Sequence, residues 1–351
     1  LSAEVGNFGN SGAANRLETT VQIGQTFELG GDRVARAHVA DASLRVAEAD
    51  LTADHRAVLA LTGERFLDAW GLQQRLGALR AAESLAAEAI QAAQERHRAG
   101  AAPVTERVRA EAQHALRRVE RQRAETELEL ARRLLAAQWG DPEPSFTALS
   151  LADSTNDGGA AGPWLAAIES HPDRLRAAAE VTLREARLRE ARANRVPDLD
   201  FQFGVRHLAE TGSAGLVAGV AFPLPLWNAQ RGGVAAAEAE ISAARSRERV
   251  SLLVLRSELE SATGRVSLAR STHEAVRTRI QPLAAEALRQ VRAGYRAGRL
   301  SYTDLIEAQR AVREADLALT EANIDLWRAR LALDRLVGGP VPVHSPEEES
   351  R

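Results

Sequence analysis

The chain has 351 residues, of which 45% are hydrophobic but only 4% aromatic, and its formal net charge is −3. The apolar residues are therefore mostly aliphatic, which suits long helices better than a thick globular core. The near balance of charge gives no polybasic surface for nucleic acid. Because Cys is absent, disulfides, zinc–thiolate sites and a catalytic thiol are excluded.

The start of the chain and the length of its apolar stretches give two further expectations. The chain starts at Leu1 without Met and without a leader peptide, so we expect a mature or truncated product. No stretch of 18 or more apolar residues is present, so we expect no membrane-spanning helix. Any membrane span would have to consist of β-strands.

The first part of the chain alternates between apolar and polar residues. Leu1, Ala3 and Val5 begin this pattern, and residues 17–29 continue it, with one face formed by Leu17, Thr19, Val21, Ile23, Phe27 and Leu29. Alternation with a period of two predicts strands that have one apolar and one polar face. The polar positions of the second strand include Glu18 and Gln22.

Two long helices follow. Residues from Gly31 to His97 are rich in Ala, Leu, Arg and Glu, which are strong helix formers. A turn is predicted at Gly100 to Pro103, and a second helix from Val104 to Trp139. Prolines at 142 and 144 end that helix, because Pro cannot continue the backbone hydrogen bonds.

The second half repeats this order of elements. We expect a helix over 164–195, with His171-Pro172 breaking its first turns. Strands over 198–206 and 216–222 come next, with Asp200, Gln202 and Arg206 on the polar face of the first of these strands. Helices are predicted from Gly233 to Ala297, with a kink at Pro282, and from Ser301 to Val337.

An internal duplication explains this recurrence. Leu85–Ala89 (LAAEA) recurs as Leu283–Ala287, and Arg98-Ala99-Gly100 recurs as Arg296-Ala297-Gly298, both at an offset of 198 residues. We therefore predict a first repeat over 1–140 that lacks its first helix, and a second repeat over 164–340. Residues 141–163 form a linker, and 341–351 form a disordered tail. Chance matches in an Ala- and Arg-rich sequence are the alternative explanation.

The strands allow two interpretations. They could form a soluble antiparallel sheet packed on the helices, and the alternation alone supports that equally well. If the apolar face contacts lipid, four strands are too few to close a barrel, and an open edge in lipid leaves backbone groups unsatisfied. The membrane interpretation therefore requires several chains that each contribute a few strands.

The last helix carries a heptad pattern. One row consists of Leu305, Val312, Leu319, Leu326 and Leu333, and the row three residues later is mostly Ala. Large and small residues in adjacent rows are typical of a coiled coil with closely approaching helices. A soluble periplasmic coiled-coil scaffold or adaptor is the alternative function that this pattern leaves open.

Catalytic and metal-binding motifs are not found in the sequence. The eight His residues are scattered without ligand spacing, and we interpret them as exposed helix residues. No P-loop, Rossmann or Gly-x-Ser-x-Gly motif occurs. We therefore expect no enzyme, no metal site and no cofactor.

Three local patterns resemble the TolC-like outer-membrane factor family. They are the Pro at 196–199 (VPDL), the strand-exit segment 222–233 (FPLPLWNAQRGG) and, most specifically, the turn at 295–305 (YRAGRLSYTDL). The resemblance covers residues 1–340. Glu4, residues 7–9 (NFG) and residues 28–33 (ELGGDR) are similar to the CzcC-like heavy-metal branch, although that branch usually has Lys at the position of Asp32.

The resemblance implies a fold, a location and partners. The fold is mainly α with a β-barrel part, in which three chains build a twelve-stranded outer-membrane barrel on a coiled-coil periplasmic tunnel. The protein would be a homotrimer in outer-membrane lipid of a Gram-negative bacterium. It would conduct metal cations or drugs passively, with a periplasmic adaptor (membrane fusion protein) and an inner-membrane resistance-nodulation-division pump as partners.

The resemblance also assigns roles to residues. The periplasmic gate would comprise Asp304, Glu307 and Tyr295, with the two carboxylates forming rings under threefold symmetry. Adaptor contacts would fall on the tip turns, at Gly100, Pro103, Gly298, Arg299 and Ser301. The lumen would be lined by Glu18, Gln22, Asp200, Gln202 and Arg206. Without the resemblance, Asp304 and Glu307 are better explained as a solvated face, with Asp304 a partner of the helix dipole.

Overall fold

A computed structural model of the chain describes residues 2–6, 18–141, 143–151, 168–208, 211–223 and 230–337. The predictions for Leu1, for residues 7–9, for most of the 141–163 linker and for the 341–351 tail lie outside these residues. The Glu18 side chain also lies outside the described part, although its backbone is described. The described residues belong to two compact units, Leu1–Thr52 with Pro172–Leu252 and Ala53–His171 with Leu253–Arg351.

The first unit contains a four-stranded antiparallel sheet. Its strands are β1 (Ser2–Gly6), β2 (Glu18–Phe27), β3 (Leu199–Leu208) and β4 (Ser213–Ala221). They lie in the order β1-β2-β3-β4, so each strand pairs with its neighbours in sequence. All four predicted strands are therefore present, within a few residues of their expected bounds.

The register places like residues on the same face. Val21 pairs with Val205, and Ile23 pairs with Phe203, which in turn pairs with Ala218 of β4. On the opposite face, Thr20 pairs with Arg206 and Thr26 with Asp200. Cross-strand partners share a face, so the alternation read from the sequence continues across β2, β3 and β4.

Three helices complete the described part of the first unit. They are the beginning of α1 (Asp32–Arg98), α3 (Pro172–Ala193) and the beginning of α4 (Arg231–Ala275). Ala42 of α1 packs against Leu183 and Ala186 of α3 in a small apolar core. Small residues at this contact let the helix backbones approach closely.

The second unit consists of helices. It contains the rest of α1 and α4, α2 (Val104–Ala136) with a terminal 3₁₀ turn at Ala137–Trp139, α5 (Gln281–Arg296) and α6 (Tyr302–Val337). The predicted Ala row of the last helix is buried at Ala308, Ala315, Ala322 and Ala329. This burial is what the large/small heptad pattern predicts.

A π-helical turn, Val276–Ile280, separates α4 from α5. Pro282 follows it at the start of α5. Inside a continuous α-helix, Pro lacks an N–H donor and its ring clashes with the carbonyl four residues earlier. The π-turn widens the helix just before that position, and the Gln281 N–H bonds to Val276 O instead. The predicted interruption at Pro282 thus takes the form of a π-turn.

Two side chains hold the segment after α2: Arg132 Nη2 donates to Thr147 O, and Gln73 bonds to Leu149. Gln73 Nε2 donates to Leu149 O at 2.8 Å, and Leu149 N donates to Gln73 Oε1 at 3.0 Å. The Leu149 side chain is buried with Trp70 and Trp327 in one of the apolar clusters of the second unit. The amide therefore satisfies both backbone groups of a residue whose side chain lies in the core.

The expectation that His residues are exposed on helices is wrong at two positions. His171 is buried where the chain turns into α3, and its backbone N–H bonds to Ile168 O at 3.2 Å. His207 lies on β3 rather than on a helix. The turn at His171 buries this side chain because Pro172 starts the helix immediately after it.

Candidate functional site at the paired helical turns

Two turns in the second unit share one backbone design. Gly100 lies between α1 and α2, and Gly298 lies between α5 and α6, with φ values of 71° and 73°. These left-handed conformations favour Gly and end a helix. Three hydrogen bonds close each turn: Ala99 N to Glu95 O, Gly100 N to His97 O and Ala101 N to Arg96 O in the first, and Ala297 N to Ala293 O, Gly298 N to Tyr295 O and Arg299 N to Gly294 O in the second.

Tyr295 lies at the centre of this tip. Its side chain is only 1% exposed. Its hydroxyl donates to Glu106 Oε2 at 3.0 Å, and the Arg96 guanidinium lies over its ring at 4.4 Å from the centroid. Arg96 Nη1 also donates to the backbone oxygen of Tyr295 at 2.6 Å, so one residue of α5 is bonded to both α1 and α2.

A second tyrosine packs beside the first. The rings of Tyr295 and Tyr302 lie 6.2 Å apart between centroids. Burial raises the pKa of both hydroxyls, that of Tyr302 to about 12, and the hydrogen bond to Glu106 raises the Tyr295 pKa further. Both phenols therefore stay protonated at neutral pH. The Tyr302 hydroxyl is buried and finds no hydrogen-bond partner among the described residues.

Asp304 caps the start of α6. Ser301 donates to Asp304 Oδ2 from both its backbone N and its Oγ at 2.8 Å, and Asp304 N donates back to Ser301 Oγ at 3.2 Å. This reciprocal pattern is a capping box. The hydrogen bonds from Ser301 lower the pKa of Asp304 below its ordinary value. Asp304 therefore performs the helix-start role that its position in the sequence indicates.

The remaining predicted tip residues are accessible. Glu307 is exposed one turn after Asp304. The five predicted adaptor contacts are all exposed as well: Gly100, Pro103, Gly298, Arg299 and Ser301. The structure thus brings the predicted tip residues together around the two turns, whereas the predicted lumen residues lie on the sheet of the first unit.

On the sheet, the predicted lumen residues share the polar face. Arg206 Nε donates to Thr20 Oγ1 at 3.2 Å, and Thr26 Oγ1 donates to Asp200. Gln22 and Gln202 lie on the same face, opposite Gly204 and Gly24 respectively. These residues stay predictions as lumen residues, because one chain leaves both faces of the sheet open.

Sequence reasoning missed Arg96 and the role of Glu106. Glu106 falls at the position of Asp304 in the internal repeat, but it bonds to a tyrosine instead of capping a helix. Arg96 shows no local motif, because its partners lie about 200 residues away. The only sequence signal for this contact was that an acid, Glu106, and a tyrosine, Tyr295, each lie near one of the two repeated Ala-Gly turns.

Neither a membrane-spanning helix nor a metal-binding cluster occurs among the described residues. In the part of the chain that the structure describes, no helix is long and apolar enough to cross a membrane. No group of three or more His, Asp or Glu side chains within those ranges is arranged to hold a metal ion.

Comparison with known proteins identifies the class. A profile described as "Outer membrane efflux protein" matches residues 166–339. Residues 166–339 belong to this family of outer-membrane efflux proteins, which confirms the family and the outer-membrane location that the sequence motifs indicated. Known members are channel proteins rather than enzymes.

One curated protein and two solved structures show how similar the chain is to individual relatives. Over 321 residues the chain is 26% identical to the cobalt-zinc-cadmium resistance protein CzcC of Cupriavidus metallidurans, covering 91% of this chain and 77% of that protein. Its fold is similar to that of the outer-membrane channel OprN, with a TM-score of 0.81, 20% identity and coverage of 97% of this chain and 80% of the other. VceC from Vibrio cholerae gives a TM-score of 0.78 at 19% identity, covering 97% and 86%.

Proposed function

We propose that the protein is the outer-membrane channel of a tripartite efflux system and works as a homotrimer. Three four-stranded sheets close into a twelve-stranded barrel, and the helices form a periplasmic tunnel. Transport through it is passive, because the pump in the inner membrane supplies the energy. A periplasmic adaptor contacts the tip turns at Gly100 to Pro103 and Gly298 to Ser301.

The faces of the sheet carry this proposal. Large apolar side chains on one face are exposed, from 46% at Val21 to 91% at Leu216. A soluble sheet packed on its own helices would bury such a face. The opposite face is polar, with Gln22, Asp200 and Arg206. Lipid on one side and water on the other suits this arrangement, as in transmembrane barrels.

The unpaired edges of the sheet support an assembly of three chains. Within the described residues, β1 pairs only with β2, and β4 pairs only with β3. In lipid, unpaired backbone groups each cost several kcal/mol, by order of magnitude. Pairing β1 of one copy with β4 of the next removes both edges, and three copies supply enough strands to enclose a channel.

The helices also present apolar faces that one chain leaves uncovered. On α2 the exposed apolar residues are Val104, Val108, Leu116, Val119, Leu130 and Leu134. At 100° per residue these positions fall on one face of the helix. A neighbouring copy of the chain would cover this face in the trimer, and such coverage also argues against a scaffold that works as a soluble monomer.

Leu216→Arg separates a lipid-facing sheet from a soluble one. At the middle of a bilayer, Arg on the lipid face costs about 2–4 kcal/mol, whereas a residue this exposed to water tolerates Arg. We expect Leu216→Arg to reduce strongly the amount of protein recovered in the outer-membrane fraction. Gln22→Arg is the matched control, because it lies at the same level on the polar face.

The outcome is decisive in both directions. Equal recovery of both variants from the outer membrane would contradict the barrel. If the full chain were recovered as a soluble monomer without detergent, the scaffold alternative would replace the channel.

The gate proposal rests on the exposed carboxylates near the second turn. In a trimer, Glu307 and Asp304 would each form a ring of three like charges, which attracts cations. Because Asp304 also caps α6, the effect of Asp304→Ala on gating could not be separated from the effect of losing the cap. Asp304→Asn keeps a capping side chain and removes the charge.

The gate is tested with Glu307→Gln and Asp304→Asn in planar lipid bilayers. We expect weaker block of the single-channel current by multivalent cations in each variant, and the weakest block in the double variant. Glu129→Gln serves as control, because Glu129 is exposed on α2 away from both turns. Unchanged cation block in the double variant would remove these carboxylates from the gate.

Heavy-metal cations are the proposed substrates. The support is the 26% identity over 321 residues to a protein named for cobalt, zinc and cadmium resistance. A strain that lacks the protein should become sensitive to these metals, and plasmid-borne protein should restore resistance. Sensitivity to hydrophobic drugs without any change in metal sensitivity would assign the channel to a drug pump instead.

A further inference from the structure

A buried carboxyl group lies where the sheet joins the first long helix. Asp32, the first residue of α1, is only 5% exposed. Gly30 and Gly31 form the turn before it, and Gly31 has φ of 77°. A Cβ on Gly30 would lie 2.3 Å from Ala193 O, so the turn is pressed against the end of α3. This close packing fixes the position of Asp32.

Asp32 lies beside a second acid, Asp198, which immediately precedes β3. The Oδ1 atoms of both residues are shielded from solvent and find no hydrogen-bond partner among the described residues. Two ionised carboxylates side by side, one buried and the other half-buried, repel each other and lose hydration. A proton held between the two carboxyls removes both costs.

The surrounding charges do not neutralise the pair. Glu28 adds a third negative charge, and it binds Arg36, the nearest cation, at 2.7 Å. Glu190 of α3 also faces Arg36. Burial, followed by the proximity of Asp198 and Glu28, raises the pKa of Asp32, and Arg36 opposes this only in part. The dipole of α1 favours an anion by only about 0.3–1 kcal/mol.

We propose that the Asp32 carboxyl stays protonated and donates a hydrogen bond to Asp198, and that this acid pair is a pH-sensitive clamp between the β2–α1 turn and the start of β3. The clamp holds at acidic pH and opens as the pH rises, because the two carboxylates then repel each other. It lies outside the predicted gate and does not depend on which substrate the channel carries.

The direction of the pH effect follows from linkage. The pKa of Asp32 is higher in the folded protein than in the unfolded chain. Between these two pKa values the folded state binds more protons, so stability falls as the pH rises. The contribution of the clamp is complete below the unfolded-state pKa and is lost as the pH passes the raised folded-state pKa.

The test compares melting temperatures of the detergent-purified full chain between pH 4 and pH 8. In Asp32→Asn, the Asn amide can still donate a hydrogen bond to Asp198, but it cannot ionise. We expect this variant to match the wild-type protein at pH 4 and to melt about 2 °C or more above it at pH 8. Asp41→Asn is the control, because Asp41 is exposed on the same helix, and it should follow the wild type at every pH.

Asp198→Asn provides an independent check, because it removes the repelling neighbour and should abolish the same pH dependence. Differences from the wild type that are equal at pH 4 and pH 8 for both variants would overturn the proposal. So would a melting temperature at pH 8 that Mg²⁺ or Zn²⁺ raises in the wild type but not in Asp32→Asn, since the pair would then hold a metal ion instead of a proton.

Discussion

The hydroxyl of Tyr295 donates a hydrogen bond to Glu106 across 189 residues of sequence. The two residues lie next to different turns, so this bond joins the two helical hairpins of one chain. Arg96 reinforces it by stacking on the tyrosine ring and bonding to its carbonyl oxygen. The packing of the tip therefore depends on one buried phenol.

Tyr295→Phe removes that hydrogen bond and nothing else. We expect the free energy of unfolding to fall by about 1.5–3 kcal/mol, because the lost bond is made to a charged, partly buried acceptor. Thermal unfolding of the purified protein measures this change. Tyr302→Phe is the matched control: its hydroxyl finds no partner among the described residues, so we expect no loss of stability. Equal losses in both variants would show that Tyr295 acts only through packing.

Gly204→Ala should disturb the pairing of β2 with β3. A Cβ at this position would lie 2.5 Å from Val21 O and 2.7 Å from Gln22 Cβ, so the neighbouring strand must move. Such crowding typically costs about 1–3 kcal/mol. Gly219→Ala lies in the same sheet, but its nearest contact would be at 3.9 Å, and it should be tolerated. Melting temperatures in detergent compare the two, and an equal effect would contradict the crowding at Gly204.

Gln73→Ala should release the segment after α2. Its amide makes two hydrogen bonds to the backbone of Leu149, and each contributes about 1 kcal/mol. Hydrogen exchange of residues 146–151 should become faster in this variant. Gln122→Ala, on the exposed surface of α2, should leave exchange unchanged. If residues 146–151 exchanged at the wild-type rate in Gln73→Ala, the apolar contacts of Leu149 and the bond from Arg132 to Thr147 O would be sufficient to hold the segment.

Pro282→Ala restores a backbone donor inside the long α4–α5 helix. We expect a gain in stability of about 1–3 kcal/mol and slower hydrogen exchange over 276–283, because Ala suits a helix interior and Pro does not. Pro103→Ala is the control, since Pro103 precedes the first turn of α2, where Pro is tolerated. A loss of stability in Pro282→Ala would show that the π-turn is required for packing.

Periodicity and turn residues were sufficient to predict most elements. Gly100, Gly298 and the prolines near 142 mark the helix ends, because left-handed turns and missing N–H donors act locally. The buried Ala row of α6 was predictable for the same reason: a heptad pattern lies within one helix. Local rules therefore gave the strands, the helices and the face of α6 that is buried.

Contacts between distant residues could not be predicted in this way. The pairing of Tyr295 with Glu106 and that of Asp32 with Asp198 each join segments more than 160 residues apart, and no local pattern identifies such partners. Pro282 indicated an interruption, but no local pattern showed that it would take the form of a π-turn beginning at Val276. The capping role of Asp304 was visible from its position, whereas a gating role requires neighbouring copies of the chain.

The two tip turns use the same backbone hydrogen bonds but carry different side chains. Where the second turn has Tyr295, the first has His97, and where the second has Gly294, the first has Arg96. A partner protein that recognised only the shape of the turns would bind both of them. A partner that recognised the side chains would distinguish the two turns. A threefold assembly would then offer six similar binding sites of two alternating kinds. Mutations in one kind of site would leave the other kind intact.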